Sequence, residues 1–325
     1  MIHMLKATSL NDLLAKLLAQ VKDLIATLVV DLDGLVIAQQ SIEGFDEEII
    51  GAIMSVLEQT ISRIKRFAET SFGSGTFDTN EFRLFYLELG GSIPAIFVMV
   101  ADPYANLDQF IPYSYIVAEK ITKLLNDEEI SIKLPTYLEG GKLDLSPDDD
   151  LPGKNKVNQI FLIGPDKCGK TSLLEMYTQG ELNENYRPTI GLGIYEKVLQ
   201  ITKRNRTILT LFDMGGLKSF AKVRKYFYKI SDARAVIILF DYTREETLDQ
   251  ATEWIEEARF FTKKDSIFYI LVGNKLDLLE DRTEIKEKAE RIAKENECLF
   301  FETSALTGQG IDELFMHVAF NCEEI

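Results

Sequence analysis

Residues 164–171, Gly164-Pro165-Asp166-Lys167-Cys168-Gly169-Lys170-Thr171, constrain this chain more than any other stretch. They follow the apolar run 160–163 and precede a run of helical character, 171–177. A turn of this composition needs a strand before it and a helix after it. The glycines let backbone N–H groups wrap around phosphate oxygens, and the helix N-terminus adds its positive dipole end. At this spacing Lys170 is expected to reach the β- and γ-phosphates, and the Thr171 hydroxyl to coordinate Mg²⁺. Ser172 follows directly at the helix start.

Downstream the chain alternates between strand and helix patterns. Apolar runs at 157–163, 207–213, 235–240, 267–272 and 299–302 read as buried parallel strands, with helical stretches at 247–261 and 284–296 between them. The expectation is an α/β domain with a doubly wound, mostly parallel sheet, whose ligands bind at the C-terminal ends of the strands.

Four further pieces stand at or near such ends. Asn274-Lys275-Leu276-Asp277 follows one strand. The Asp277 carboxylate can accept from guanine N1–H and N2–H₂, donors that adenine lacks, so a site built on it rejects ATP. That opposes an ATP-dependent enzyme. Asn274 would contact guanine or brace the phosphate loop. Asp213-Met214-Gly215-Gly216 ends another strand, with Asp213 placed to hold Mg²⁺ through water and the Gly216 N–H to sense a γ-phosphate. Thr189, in Arg187-Pro188-Thr189-Ile190-Gly191, is placed to complete the Mg²⁺ shell when that phosphate is present. In Glu302-Thr303-Ser304-Ala305 the Ala305 N–H is a candidate reader of guanine O6.

Taken in order, these five pieces make residues 156–320 resemble a small GTPase of the Ras superfamily. Asp166, Thr189-Ile190-Gly191 and Asp213–Gly216 are similar to the Arf branch; Asn274–Asp277 and Glu302–Ala305 are similar to the Rab and Ras branches. The resemblance implies GTP and GDP as ligands, Mg²⁺ as cofactor, and loops around Thr189 and Gly216 that switch conformation. It makes Lys170, Thr189 and Gly216 the expected catalytic groups. One position departs from the family pattern. A glutamine that orients the attacking water usually follows Gly216, and here the residue is Leu217. An aliphatic side chain cannot hydrogen-bond that water, so slow hydrolysis is expected, with Arg187 as a candidate built-in arginine finger. A GTP-bound, non-catalytic scaffold is the alternative. Cys168 reads as an inert loop residue, the basic run Lys218, Lys222, Arg224 and Lys225 as a solvated helix face, and Trp254 as packing for a helix face.

Residues 1–133 carry no clustered His or Cys and no glycine-rich phosphate loop. Helical spacing over 10–27, two β-rich runs around Asp33-Gly34, helical spacing over 45–70, strands at 82–89 and 96–101 and a helix over 107–125 predict an α+β domain with an antiparallel sheet. A further strand is expected around 75–79. The element order and residues 29–38 resemble the Roadblock/LC7 family over about residues 8–126. That implies a dimerisation or regulatory module, either a homodimer or a Roadblock-type heterodimer, beside an effector and GTPase regulators of unknown identity. Residues 134–156, with Pro135, Gly140, Gly141, Pro147, Pro152 and Gly153 and an Asp148–Asp150 triplet, read as a linker. The domains are therefore expected at 1–133 and 157–325.

Charge narrows the partners. The 325 residues carry a net charge of -16, and residues 1–133 alone hold 10 Lys and Arg against 19 Asp and Glu. Phosphate backbones and anionic membrane surfaces repel such a chain, so neither nucleic-acid binding nor a direct membrane anchor is expected. Three scattered cysteines point to a reducing, cytoplasmic setting. Cys322 stands where a prenylated cysteine would, but Glu323 and Glu324 fill positions that would be aliphatic.

Overall fold

The computed structural model describes residues 2–42, 50, 53–54, 73–91, 93–128, 130–138, 142–144, 154–182, 187–200, 205–264 and 266–324. The chain divides into two compact units, Met1–Ser146 and Pro147–Ile325.

In the first unit, helix α1 (Ile2–Gln20) leads into β1 (Leu24–Asp31), β2 (Val36–Ser41), β3 (Ser74–Asp78), β4 (Arg83–Leu89) and β5 (Ala95–Ala101), then α2 (Ile111–Leu125). The five strands form one antiparallel sheet in the order β2-β1-β5-β4-β3. Gly34 takes a φ of 86° in the β1–β2 turn, where Asp31 Oδ1 accepts from the N–H groups of Asp33 and Leu35. That is the chemistry a tight Asp-Gly hairpin needs. Side chains of β1 alternate. Ala26, Leu28 and Val30 pack in a cluster with Ile50, Met54, Ile96, Val98 and Val100, while the hydroxyl of Thr27 points the other way to the Leu14 carbonyl of α1. With both faces covered, all seven residues of β5 are buried.

The expected helix over 10–27 is corrected at its end. It stops at Gln20, and residues 24–27 join β1, where Leu24 pairs with Ala101 and Thr27 with Met99. Helical spacing of Val21 and Ile25 lost to cross-strand pairing, a tertiary effect that local periodicity does not register. The expected strand near 75–79 is β3. The helix expected over 45–70 lies outside the described residues apart from 50, 53 and 54. Within the stretch read as a linker, β6 (Thr136–Leu138) and β7 (Lys142–Asp144) pair antiparallel, so part of it is a hairpin. The Asp148–Asp150 triplet lies outside the described residues.

The second unit runs β8 (Lys154–Ile163), α3 (Lys170–Gln179), β9 (Leu192–Gln200), β10 (Asn205–Met214), α4 (Ala221–Ile230), β11 (Ala233–Asp241), the short α5 (Glu245–Asp249), α6 (Ala251–Thr262), β12 (Phe268–Asn274), α7 (Thr283–Glu295), β13 (Leu299–Glu302) and α8 (Ile311–Glu324). The sheet order is β13-β12-β11-β8-β10-β9, with β9 antiparallel and the other pairings parallel. The antiparallel strand β9 was not anticipated. Its alternating exposure marks an edge strand, unlike the continuous apolar runs of β8, β11 and β12.

Helices cover both faces. On one, Leu173 and Leu174 of α3 meet Leu314, Phe315 and Val318 of α8, and Tyr177 stacks on Phe315 with centroids 4.0 Å apart. On the other, Tyr228 of α4 packs edge-on against Phe161 of β8. Cys322 is fully buried in the first of these layers, and its carbonyl accepts from Lys156 Nζ. The chain leaves β8 to one side through β10 and returns to the other through β11. The C-terminal end of β8 is therefore the switch point of the sheet, where ligands of such folds bind.

Candidate nucleotide-binding site

The turn after β8 is shaped by backbone geometry. Gly164 has φ +135°, and a Cβ there would stand 2.3 Å from the Leu239 carbonyl oxygen of β11, so no other residue fits. The loop curls over the first turn of α3, and Lys170 threads back beneath it. Its buried ammonium donates to the carbonyls of Gly164 (2.9 Å) and Pro165 (2.7 Å). Burial pulls the Lys170 pKa down, and the nearby Asp213 carboxylate opposes that shift.

Three oxygens converge at the N-terminus of α3. Asp213 Oδ2, at the end of β10, accepts from Thr171 Oγ1 at 2.6 Å and from Thr189 Oγ1 at 2.9 Å, and the two hydroxyl oxygens are 2.9 Å apart. Thr189 reaches this point because its loop is tied to the next. β9 pairs with β10 up to Leu192↔Met214, and the Gly215 N–H then donates to the Gly191 carbonyl at 2.9 Å. Hydroxyl and carboxylate oxygens are hard donors. They fit a Mg²⁺ ion that takes its remaining ligands from water and phosphate. Among the described residues no group of three or more His, Cys, Asp and Glu side chains is arranged to hold a metal.

Gly216 lies against the phosphate loop. A Cβ there would meet Asp166 N at 2.5 Å, Pro165 C at 2.6 Å and Gly164 O at 2.7 Å. A cavity of about 340 Å³ opens beside it, lined by Asp166, Lys167, Gly169, Lys170, Thr171, Ser172, Glu175, Arg187, Pro188, Thr189, Gly216, Leu217 and Lys275. Arg187 and Leu217 thus share one wall system with the expected phosphate ligands. Gly164, Pro165, Cys168, Asp213, Asn274, Asp277, Ser304 and Ala305 are not on that wall.

Asn274 bonds to the phosphate loop and to the loop after β13. Fully buried, it donates from Nδ2 to the Cys168 carbonyl (2.9 Å), while Oδ1 accepts from Thr303 Oγ1 (3.1 Å) and from the Ala305 N–H (3.2 Å). It pins the phosphate loop to the loop after β13. The Ala305 N–H, read from the sequence as facing guanine, is directed at Asn274 here. Asp277 Oδ1 accepts from the Ser304 hydroxyl, which in turn accepts from the Thr307 N–H. Lys275 sits at φ +65° with its ammonium 2.6 Å from Asp241.

Asp241 and Arg244 were missed. Asp241 is fully buried at the end of β11 and binds Lys275, Thr243 and Arg244; Arg244 also donates to the Asp166 carbonyl at 2.8 Å and to Cys168 Sγ at 3.6 Å. Burial raises the Asp241 pKa, but these hydrogen bonds outweigh it and hold the carboxyl below its usual value. The signal was available: Asp241 ends an apolar strand at the same edge of the sheet as Gly164, Asp213 and Asn274. Cys168 is fully buried, and burial raises its thiol pKa against the pull of Lys170 and Arg244.

The basic run also needs correction. Lys218 and Lys222 are exposed, but Arg224 is buried. It donates to the carbonyls of Gly215 (2.8 Å) and Leu217 (3.0 Å) and pairs with Glu257. Its guanidinium stacks over Trp254, 4.5 Å from the ring centroid. The two carbonyls that flank Gly216 and the Glu257 carboxylate explain why a cation is needed there, and none of these pairings is visible in a charge pattern.

Comparisons with known proteins agree with this geometry. The sequence model of the Ras family matches residues 159–324, and that of the Roadblock/LC7 domain matches residues 10–88. Ras-related protein Rab-4 of Dictyostelium discoideum is 34% identical over 158 residues, covering 49% of this chain and 75% of that protein. Ras-related protein Rab-4A of Rattus norvegicus is 33% identical over 161 residues, 50% of this chain and 72% of the relative. Ras-related protein Rab-26 of Mus musculus is 32% identical over 162 residues, 50% and 61%. A GTP-binding domain that hydrolyses GTP therefore follows a Roadblock/LC7 domain in one polypeptide, and the chain belongs to the Ras family.

Proposed function

We propose that this chain is a GTP/GDP switch that uses Mg²⁺ and hydrolyses GTP slowly, with the Roadblock domain serving dimerisation or regulation. The observation that carries the reading is the convergence of Thr171, Thr189 and Asp213 oxygens within 2.6–2.9 Å. Thr189 comes from a loop, so its arrival beside Thr171 is a conformational event that a γ-phosphate can reward.

In this reading the backbone from Gly164 to Gly169, with Lys170 and Ser172, surrounds the phosphates. Thr171, Thr189 and Asp213 would hold Mg²⁺, which would supply neutralisation of the phosphate charge. The Gly216 N–H contacts the γ-phosphate, and Asp277, oriented by Ser304, accepts from the guanine edge. Lys275 covers the base side, and Asn274 and Ala305 hold the two loops at that edge together. Arg187, on the cavity wall, is the candidate cation for charge developing in the transition state. Leu217 offers no group to orient water.

A second reading, a GTP-loaded scaffold that assembles partners through its Roadblock domain, is favoured by the same Leu217. We take the domain limits as 1–133 and 157–325 with a linker at 134–156, and the setting as cytoplasmic, with a homodimer or Roadblock-type heterodimer as the assembly. No helix among the described residues is long and apolar enough to cross a membrane.

Single-turnover GTP hydrolysis by the full chain tests this directly. Slow turnover that requires Mg²⁺, accelerated about tenfold or more by Leu217→Gln, is expected for a switch limited by water orientation. Tight GTP binding with no turnover in either protein would favour the scaffold.

A further inference from the structure

The guanidinium of Arg224 occupies a position that nucleotide contacts alone do not require. It is 3% exposed and bonds to both peptide carbonyls that flank Gly216, those of Gly215 and Leu217. Its other face is committed to α6. Nε and Nη2 bind the Glu257 carboxylate at 2.9 and 3.3 Å, and Trp254 stacks on the plane. One side chain thus joins a loop to a helix that makes no phosphate contact. The same loop is joined through Gly215 N–H to Gly191, two residues from Thr189.

We propose that Arg224 is a positioning residue for the triphosphate state: a latch, built from Arg224, Glu257 and Trp254, that holds the 215–217 backbone closed against the phosphate loop. The inference rests on the switch reading above and specifies how the closed form is regulated. With Gly216 held against Gly164–Asp166, its N–H would be available to a γ-phosphate oxygen, and Thr189 is held with it. A diphosphate gains nothing from that alignment. The latch therefore adds affinity for the triphosphate and leaves the diphosphate untouched. Bidentate pairing to Glu257 and two carbonyl contacts use the planar fork of arginine, which an ammonium reproduces only in part.

Trp254 is the single tryptophan of the chain, so its fluorescence reports on the latch without labelling. The test compares GDP and GTPγS affinity, with Mg²⁺, in full-length wild type, Arg224→Gln, Arg224→Lys and Glu257→Gln. The expected result is a loss of about tenfold in GTPγS affinity for Arg224→Gln at unchanged GDP affinity, a smaller loss for Arg224→Lys, and a loss in the same direction for Glu257→Gln. The Trp254 emission change between the two nucleotides should shrink in parallel. Unchanged GDP affinity shows that the variants fold. Equal weakening of both nucleotides, or of neither, overturns the latch while leaving the switch intact. A wild type whose Thr189 segment is equally protected from proteolysis in GDP and GTPγS would overturn the switch reading and the latch together.

Discussion

Removing the Asn274 side chain should separate two loops that otherwise act as one. Its amide makes three hydrogen bonds in a fully buried position, to the Cys168 carbonyl, Thr303 Oγ1 and the Ala305 N–H. At about 1 kcal/mol each, Asn274→Ala forfeits roughly 3 kcal/mol, and more if the three partners are left dry. Each 1.4 kcal/mol is tenfold, so the combined loss in GDP affinity and fold stability corresponds to a factor on the order of 100. Most of it should fall on nucleotide binding, because the phosphate loop is rigid only while it is pinned. The assay is GDP dissociation by fluorescent-nucleotide chase, run beside thermal unfolding of the nucleotide-free chain. Asn274→Asp sharpens the test. It keeps the acceptor for Thr303 and Ala305 but turns a carboxylate oxygen toward the Cys168 carbonyl, so release should be at least as fast as in Asn274→Ala. A dissociation rate within about threefold of wild type, with unchanged unfolding temperature, would refute the reasoning.

Two other perturbations follow from the same geometry. A methyl group at Gly216 would press on three backbone atoms of the phosphate loop at 2.5–2.7 Å, so Gly216→Ala should lower GTPγS affinity while GDP affinity holds; equal affinities in equilibrium binding would count against the close approach. Asp241 is expected to set an acid limit. Its folded pKa is depressed, so the stability it adds is full above the unfolded value of about 4 and is lost as pH falls through the folded value. Unfolding temperatures measured from about pH 7 to pH 3 should therefore drop less steeply for Asp241→Asn, from a lower start, and parallel curves would exclude the assignment.

The parts of this site legible in the sequence are those whose chemistry is local. Residues 164–171 must turn sharply, cradle an anion and start a helix, and only a narrow set of residues does all three. The same holds for Asp213–Gly216 and Asn274–Asp277 at strand ends. What escaped depends on partners distant in the chain. Arg224 looks like one of several lysines and arginines until Glu257, Trp254 and two carbonyls surround it. Asp241 and Arg244 gain their role from Lys275 and Asp166. Strand β9 exists because residues 192–200 pair with β10, and residues 24–27 exchange helical spacing for pairing with β5. In each case pairing across the fold overrides what a short window of residues prefers.

The link from Gly215 to Gly191 has a kinetic meaning of its own. It is one rung beyond Leu192↔Met214, where the β9–β10 ladder formally ends, and it lies wholly between the two loops. Fraying that rung sacrifices one hydrogen bond, worth about 1 kcal/mol net, and disturbs no strand behind it. The ladder below can stay zipped while its last step opens and recloses. The free energy of that step is far below that of unfolding, so this rung alone can open and reclose many times while Arg224 still holds the 215–217 backbone.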